Sequence, residues 1–340
     1  MSLHKFTLLA GVLAAATTLP AVMHPAMAQQ KACANPNALG VSRVVEIDTT
    51  GGPGFGFQHY KSYDFLEAKE VVLTFDDGPQ KFHTEAVLAA LSEQCTKAIF
   101  FSIGKMALGF PEIVRKVIAE GHTVGTHTWS HQNLRKKKTE AEAVDEIERG
   151  ISAVKRAAGT NISPFFRFPE LADSPETLKH LQSRNIAMFS TDIDSFDFKF
   201  RSSEHTIKAV IDRLNKLGKG IVLMHDIQPS TAKAIPALLV ALKQNGYKIV
   251  HMKAKGPVQS LPEFDTAIEA NVKGLSAAGA ERPVSSVVRT VTDGVQSKLG
   301  GEPPAELVAP ASPAATNTPP TDALSDRNGD PRNRTWFWQK

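Results

Sequence analysis

The sequence predicts an α/β fold, a (β/α) barrel of about seven parallel strands with its active site at the C-terminal strand ends. Three observations predict it. From about Glu70 to about Val250, short apolar runs alternate with amphipathic helical stretches. Their even spacing suits a closed or nearly closed barrel better than a flat doubly wound sheet. Clusters of titratable residues also recur directly after the apolar runs, where barrel sites are built.

The expected strands are Val71–Phe75, Ala98–Ile103, His122–Thr126, Phe165–Phe168, Ile186–Ser190, Ile221–Met224 and Tyr247–Val250. Each is rich in β-branched or aromatic residues, and most are too short for helices. The helices between them have readable ends. Thr84 is placed to cap a segment running to Gln94, and Pro111 opens the next, with Gly121 beyond its end. Thr139 to Ala158 carries Val144, Ile147, Ile151 and Val154 at helical spacing and closes on Gly159. Ser174-Pro175 and Ser203 start two more, and Thr231 to Asn245 precedes Gly246. Thr266–Leu275 and Ser285–Leu299 have only marginal helical patterns.

The flanks differ in character. Lys5, the uncharged apolar stretch Phe6 to Val22 and Ala26-Met27-Ala28 read as a signal peptide over residues 1–28, implying export to the periplasm or the medium. Thr17, Thr18 and Pro20 interrupt that stretch too early for a retained anchor, and no later segment is long and apolar enough to span a bilayer. Residues 29–69 form an N-terminal extension and 70–255 the domain that carries the alternating pattern. Residues 256–299 are a weakly patterned C-terminal extension, and 300–340 a Pro/Ala-rich tail expected to be disordered. Trp336, Phe337 and Trp338 among basic residues make that tail a candidate envelope contact. Cys33 and Cys95 are an even pair in an oxidising compartment and so a disulfide candidate. A net charge of +4, dispersed along the chain, argues against nucleic acid as a partner.

Five polar clusters follow five different strands: Asp76-Asp77-Gly78-Pro79, His127-Thr128-Trp129-Ser130-His131, Arg167 with Pro169, the group Asp192, Asp194 and Asp197, and His225-Asp226. Each has a bland reading alone. Asp-Asp-Gly-Pro suits a turn, and a histidine pair spaced i, i+4 often decorates a helix face. Their order and shared position at strand ends is what points to a site.

Thr74-Phe75-Asp76-Asp77-Gly78-Pro79, the His-Thr-x-x-His run, Phe166-Arg167-Phe168-Pro169, Asp194-Ser195-Phe196-Asp197-Phe198 and Leu223-Met224-His225 together resemble the five motifs of the polysaccharide deacetylases. This is carbohydrate esterase family four, also called the nodulation-protein-B homology domain, and the resemblance covers roughly residues 68–252. It implies a distorted (β/α) barrel and hydrolysis of N-acetyl or O-acetyl groups on a cell-envelope or extracellular glycan. Peptidoglycan and chitin-like N-acetylglucosamine oligomers both present such groups.

The same resemblance implies roles. Asp77, His127 and His131 would bind a divalent metal, Zn²⁺ first, with Co²⁺, Mn²⁺ or Ni²⁺ as substitutes. Asp76 would be the general base, kept ionised and oriented by Arg167. His225 would be the general acid, with Asp197 as its carboxylate partner and Asp194 in reserve. The N–H of Glu170 would help hold the oxyanion, and Leu223 and Phe198 would wall the acetyl pocket. Two positions depart from the family: Glu170 stands where an aromatic residue is usual, and Phe198 where Trp is usual. A glycan-binding module on the same fold without turnover is the rival reading. Damaged metal or base positions would favour it, and the motifs carry none.

Overall fold

The computed structural model describes residues 33–280 apart from Lys138 and Phe200, with side chains as far as Lys273. The expected signal peptide, the marginal helix at 285–299 and the 300–340 tail lie outside the described residues. Among those described, no helix is long and apolar enough to cross a membrane.

The strands are β1 (Arg43–Ile47), β2 (Gly54–Phe55), β3 (Glu70–Asp76), β4 (Ile99–Ser102), β5 (Thr123–Thr126), β6 (Phe165–Arg167), β7 (Ala187–Phe189), β8 (Ile193–Asp194), β9 (Gly220–His225) and β10 (Lys248–Ala254). The helices are α1 (His83–Glu93), α2 (Gly104–Gly109), α3 (Pro111–Ala119), α4 (Glu140–Ala158), α5 (Pro175–Ser183), α6 (Ser203–Leu217), α7 (Pro229–Gln244) and α8 (Pro262–Ala280). All seven expected strands form. Round the barrel, with the short β2 and β8 added at its two ends, the order is β2-β7-β6-β5-β4-β3-β9-β8, every pair parallel.

The barrel is distorted at two places. β10 pairs with β3 only through Lys248↔Glu70 and Ile249↔Val71, then leaves to pair with β1 over Arg43–Ile47. The other place is the seam between β2 and β8, which do not pair. Asp192 bridges that seam: its Oδ1 accepts the Phe57 N–H at 2.6 Å and its Oδ2 the Ile221 N–H at 2.7 Å. A segment read only as an extension thus supplies two strands. It is also tied to the N-terminal end of the barrel by the Cys33–Cys95 disulfide.

Strand alternation divides the core. Val71, Leu73 and Phe75 of β3, Phe100 of β4, Phe166 of β6, Met188 of β7, and Val222 and Met224 of β9 face the helices. Val72, Ile99, Phe101, Phe165, Phe189 and Ile221 fill the barrel. The same parity turns Thr74 and Asp76, Arg167, and Leu223 and His225 inward, so apolar residues plug the lower barrel and polar ones crown it.

Helix ends follow local chemistry. Thr139 caps α4 by accepting the Glu142 N–H at 3.2 Å, and Gly159 closes it at φ 66°. Ser174 caps α5 with Pro175 in its first turn. Thr84 is a correction. It lies inside α1, whose cap residue is Phe82, with the Phe82 N–H received by Glu85 at 3.1 Å. Its hydroxyl is engaged elsewhere. α2 is a further helix that the pattern does not predict, and α8 runs beyond the marginal 266–275 pattern at both ends, with Ile268 buried.

Candidate active site

Asp76 is the last residue of β3, and Asp77 follows with φ 75°. The turn from strand to left-handed backbone sends the two carboxylates in different directions. Asp76, 2% exposed, faces Arg167, whose Nη1 donates to Asp76 Oδ1 and Thr74 Oγ1, each at 2.7 Å. Nη2 donates to the Ser190 carbonyl at 2.8 Å, and the guanidinium carbon lies 4.4 Å from the centre of the Phe101 ring. A fully buried guanidinium is costly unless paired; Nη1 and Nη2 are so satisfied, while Nε is buried with no hydrogen-bond partner among the described residues. Burial pushes the Asp76 carboxyl up, and the pull of Arg167 only partly offsets it, leaving Asp76 above the ordinary aspartate range.

Asp77 turns toward two histidines. Its Oδ1 lies 3.5 Å from His127 Nε2 and 3.2 Å from His131 Nε2. One ligand atom from each residue fits within 4.8 Å of the other two. His127 follows β5, and its Nδ1–H donates to the Arg167 carbonyl at 2.7 Å, so Nε2 keeps its lone pair. Burial, then the neighbouring His131, holds the His127 ring well below the ordinary imidazole value and therefore neutral. Asp77 Oδ1 is buried with no hydrogen-bond partner among the described residues. Two imidazoles and one carboxylate converging at this spacing form a donor set that fits a divalent cation.

The histidine pair converges without a helix. Left-handed residues Thr128 (φ 62°) and His131 (φ 59°) fold the run back on itself, and the Thr128 hydroxyl accepts the His131 N–H at 3.0 Å.

Across the mouth, His225 ends β9. Asp197 Oδ1 accepts its Nδ1–H at 2.7 Å, Asp197 Oδ2 accepts its backbone N–H at 2.7 Å, and Thr231 donates to the same Oδ2 at 2.5 Å. Burial alone would lower the imidazole, but the Asp197 carboxylate outweighs it and raises His225 to about 10. Burial would likewise raise Asp197, and the charge and hydrogen bonds of His225 win, holding it below its ordinary value. Asp194 is not the partner. Its Oδ1 accepts the Phe196 N–H at 2.8 Å, and burial pushes its carboxyl up.

Of the expected pocket residues, Leu223 is buried in register with Thr74 and Asp194. The half-buried Phe198 ring stands edge-on to His225, with centroids 5.7 Å apart. Glu170 lies on the exposed rim at φ 56°, its Oε2 accepting from Asn133 Nδ2 at 2.6 Å.

The polysaccharide deacetylase family model matches residues 65–189, which include Asp76, Asp77, both histidines and Arg167. A peptidoglycan-N-acetylglucosamine deacetylase of Bacillus cereus is 32% identical over 203 residues, which cover 56% of this chain and 73% of that protein. The chain belongs to the polysaccharide deacetylase family. The peptidoglycan-N-acetylglucosamine deacetylase of Listeria monocytogenes is also 32% identical, over 185 residues, and there the match spans 54% of this chain but only 38% of the relative. Among solved structures, a peptidoglycan deacetylase of Bdellovibrio bacteriovorus superposes with a TM-score of 0.59 at 33% identity, covering 65% of this chain and 62% of that one.

Several residues of this deacetylase-family site escaped the sequence. Thr74 and the Ser190 carbonyl share the Arg167 guanidinium with Asp76; strand parity with Asp76 could have found Thr74, whereas a backbone carbonyl leaves no signal. Thr231 sits behind Asp197 from a helix whose start, Pro229, lies two residues earlier than expected. Asp192, grouped with Asp194 and Asp197, belongs to the barrel seam.

Proposed function

We propose that the protein is an exported, metal-dependent deacetylase that hydrolyses N-acetyl groups on a cell-envelope polysaccharide, with peptidoglycan and chitin-like oligomers as the first substrates to test. The observation that carries the reading is the arrangement at one barrel end. The barrel end carries a His127–His131–Asp77 cluster together with a base and its partner, Asp76–Arg167, and an acid and its partner, His225–Asp197.

Asp77, His127 and His131 would hold the ion, with Zn²⁺ the best match to two nitrogens and one oxygen. Such an ion polarises the acetyl carbonyl and brings the pKa of water to about 7. Asp76 accepts the proton of the attacking water, and its raised pKa makes it a better acceptor. Arg167 fixes the angle from which Asp76 works. His225, charged beside Asp197, gives its proton to the departing amine. The Glu170 N–H would help hold the developing oxyanion, and Leu223 and Phe198 would wall the acetyl pocket. O-acetyl esters would pass through the same machinery. The relatives named for peptidoglycan support a cell-wall substrate, and the N-terminal signal-peptide pattern supports export.

Acetate release from peptidoglycan, chitin oligomers and O-acetylated xylan, with Zn²⁺-loaded protein, tests the reading. Release from none of them, with the ion bound, would leave the glycan-binding alternative.

A further inference from the structure

Asp226 is a buried carboxylate that the reaction above leaves unused. It follows His225 beyond the end of β9 and is 1% exposed. Its Oδ2 accepts the Thr84 hydroxyl at 2.6 Å, and that hydroxyl accepts the Gln80 N–H at 2.8 Å. Its Oδ1 has no hydrogen-bond partner among the described residues. The carboxylate instead lies flat against Gly78, where an added Cβ would come within 2.3 Å of Oδ2 and 2.5 Å of Oδ1. On another side, the Gly78 carbonyl accepts the Ile103 N–H at 3.1 Å.

The turn after β3 is therefore held from three directions, and two of them lead to Asp226. The turn needs holding. Asp77 is a non-glycine residue at φ 75°, a backbone state that persists only when its surroundings impose it. Relaxation toward the ordinary region would swing the Asp77 carboxylate away from His127 and His131. Nothing in the packing requires an acid at 226, since an apolar side chain could fill the space behind Gly78. What an apolar residue could not do is receive the Thr84 proton and so fix Gln80 and the turn before it. Asp197 and Thr231 do the same for His225. His225 and Asp226, neighbours at the end of β9, thus belong to the two halves of the site, and each supporting carboxylate, Asp197 or Asp226, accepts from a first-turn threonine of a helix.

We propose that Asp226 is a positioning residue for the metal site. Through Thr84 and by contact with Gly78 it holds the Asp77 turn in the left-handed form that brings Asp77 Oδ1 to the two histidines. The inference rests on Asp77, His127 and His131 being the metal ligands.

Calorimetric titration of Zn²⁺ into the metal-free mature chain tests it. Thr84→Val, which keeps the shape without the hydroxyl, and Asp226→Ala should each weaken binding by about 10–100-fold, as loss of a group supporting a ligand does. Asp226→Asn, whose amide oxygen still accepts the Thr84 proton, should bind like the parent. The Thr84→Val/Asp226→Ala double variant should bind no more weakly than the worse single one, because both remove the same tie. Circular dichroism confirms that each is folded; if Asp226→Ala is not, Thr84→Val against Asp226→Asn decides. Parent-like affinity in Thr84→Val, or an Asp226→Asn as weak as Thr84→Val, overturns the inference alone. A parent that binds no Zn²⁺ overturns the metal assignment and this inference with it.

Discussion

The Asp197 carboxylate accepts both the ring Nδ1–H and the backbone N–H of His225, each at 2.7 Å. One buried anion thus fixes the orientation of the imidazole, its tautomer and its charge.

That geometry predicts a pH signature. His225 lies at about 10, above the ordinary histidine value of about 6.5. A raised value means that the pair stabilises the fold fully below about pH 6.5, and that this contribution is lost as pH rises through about 10. In metal-free protein, NMR titration should show His225 still protonated at pH 8. In Asp197→Asn its titration should move down toward the ordinary value, and acetate release should fall, to a limit of about 10²–10⁴-fold if the acid is lost altogether. An unmoved His225 titration in that variant would free His225 from Asp197.

Glu148 predicts the opposite dependence. It is fully buried on α4, accepting from His180 Nε2 at 2.7 Å and from Arg184 Nε at 2.9 Å. Burial pushes its carboxyl up, but the bonds from His180 and Arg184 outweigh it and hold Glu148 below its ordinary value. A lowered value gives stability that is present above about pH 4.3 and lost as pH falls through the depressed value. Glu148→Gln should therefore cost about 3–5 kcal/mol at pH 7, the usual loss on breaking a buried pair, and less near pH 3, below the ordinary glutamate value of about 4.3. Urea denaturation at both pH values measures it. An equal cost at both would show that packing, not charge, dominates there.

The sequence made the barrel legible wherever one element decided its own form. β3, β4 and β9 are apolar runs bounded by turn residues, and α4 carries its cap, its stripe and its closing glycine within a single stretch. β2 and β8, two residues each, exist only because β7 and β9 present open edges to them. The site was legible for a related reason: side chains at successive strand ends converge whatever the loops do. His127 and His131 were readable as a pair, but the i, i+4 spacing suggested a helix, and left-handed turns do the work instead. Thr84 suggested a cap and proved to be a tie to Asp226. For β2, β8 and Thr84 a long-range partner overrode the local pattern, and long-range partners are what a single sequence hides.

Metal removal should be visible without any substrate. If Asp77, His127 and His131 bind the ion only in the folded state, Zn²⁺ at a hundred times its Kd adds about 2.7 kcal/mol of stability. Thermal denaturation with and without chelator should show a corresponding rise in Tm, absent in His127→Ala and His131→Ala. A rise that survives both substitutions would place the ion elsewhere.

The two adjacent aspartates should fail differently. Asp76 meets Arg167 at 2.7 Å and lies at the inward end of β3, while Asp77 turns its Oδ1 to the histidines. Asp76→Asn keeps the size and can still face Arg167, but it takes up no proton. It should retain Zn²⁺ and oligosaccharide affinity while turnover falls about 10²–10⁴-fold, the usual worth of a placed base. Asp77→Asn exchanges a charged ligand for a neutral one, so Zn²⁺ affinity should drop and excess Zn²⁺ should partly restore activity. Calorimetry for Zn²⁺ and for a chitin oligomer, beside acetate release, separates the outcomes. Burial raises Asp76, so its protonation should also set the acidic limb of the rate profile, and that limb should vanish from the residual activity of Asp76→Asn but persist in Asp77→Asn. If both variants lose metal together, Arg167 and Asp76 are part of the ion's support, and the base must be sought elsewhere.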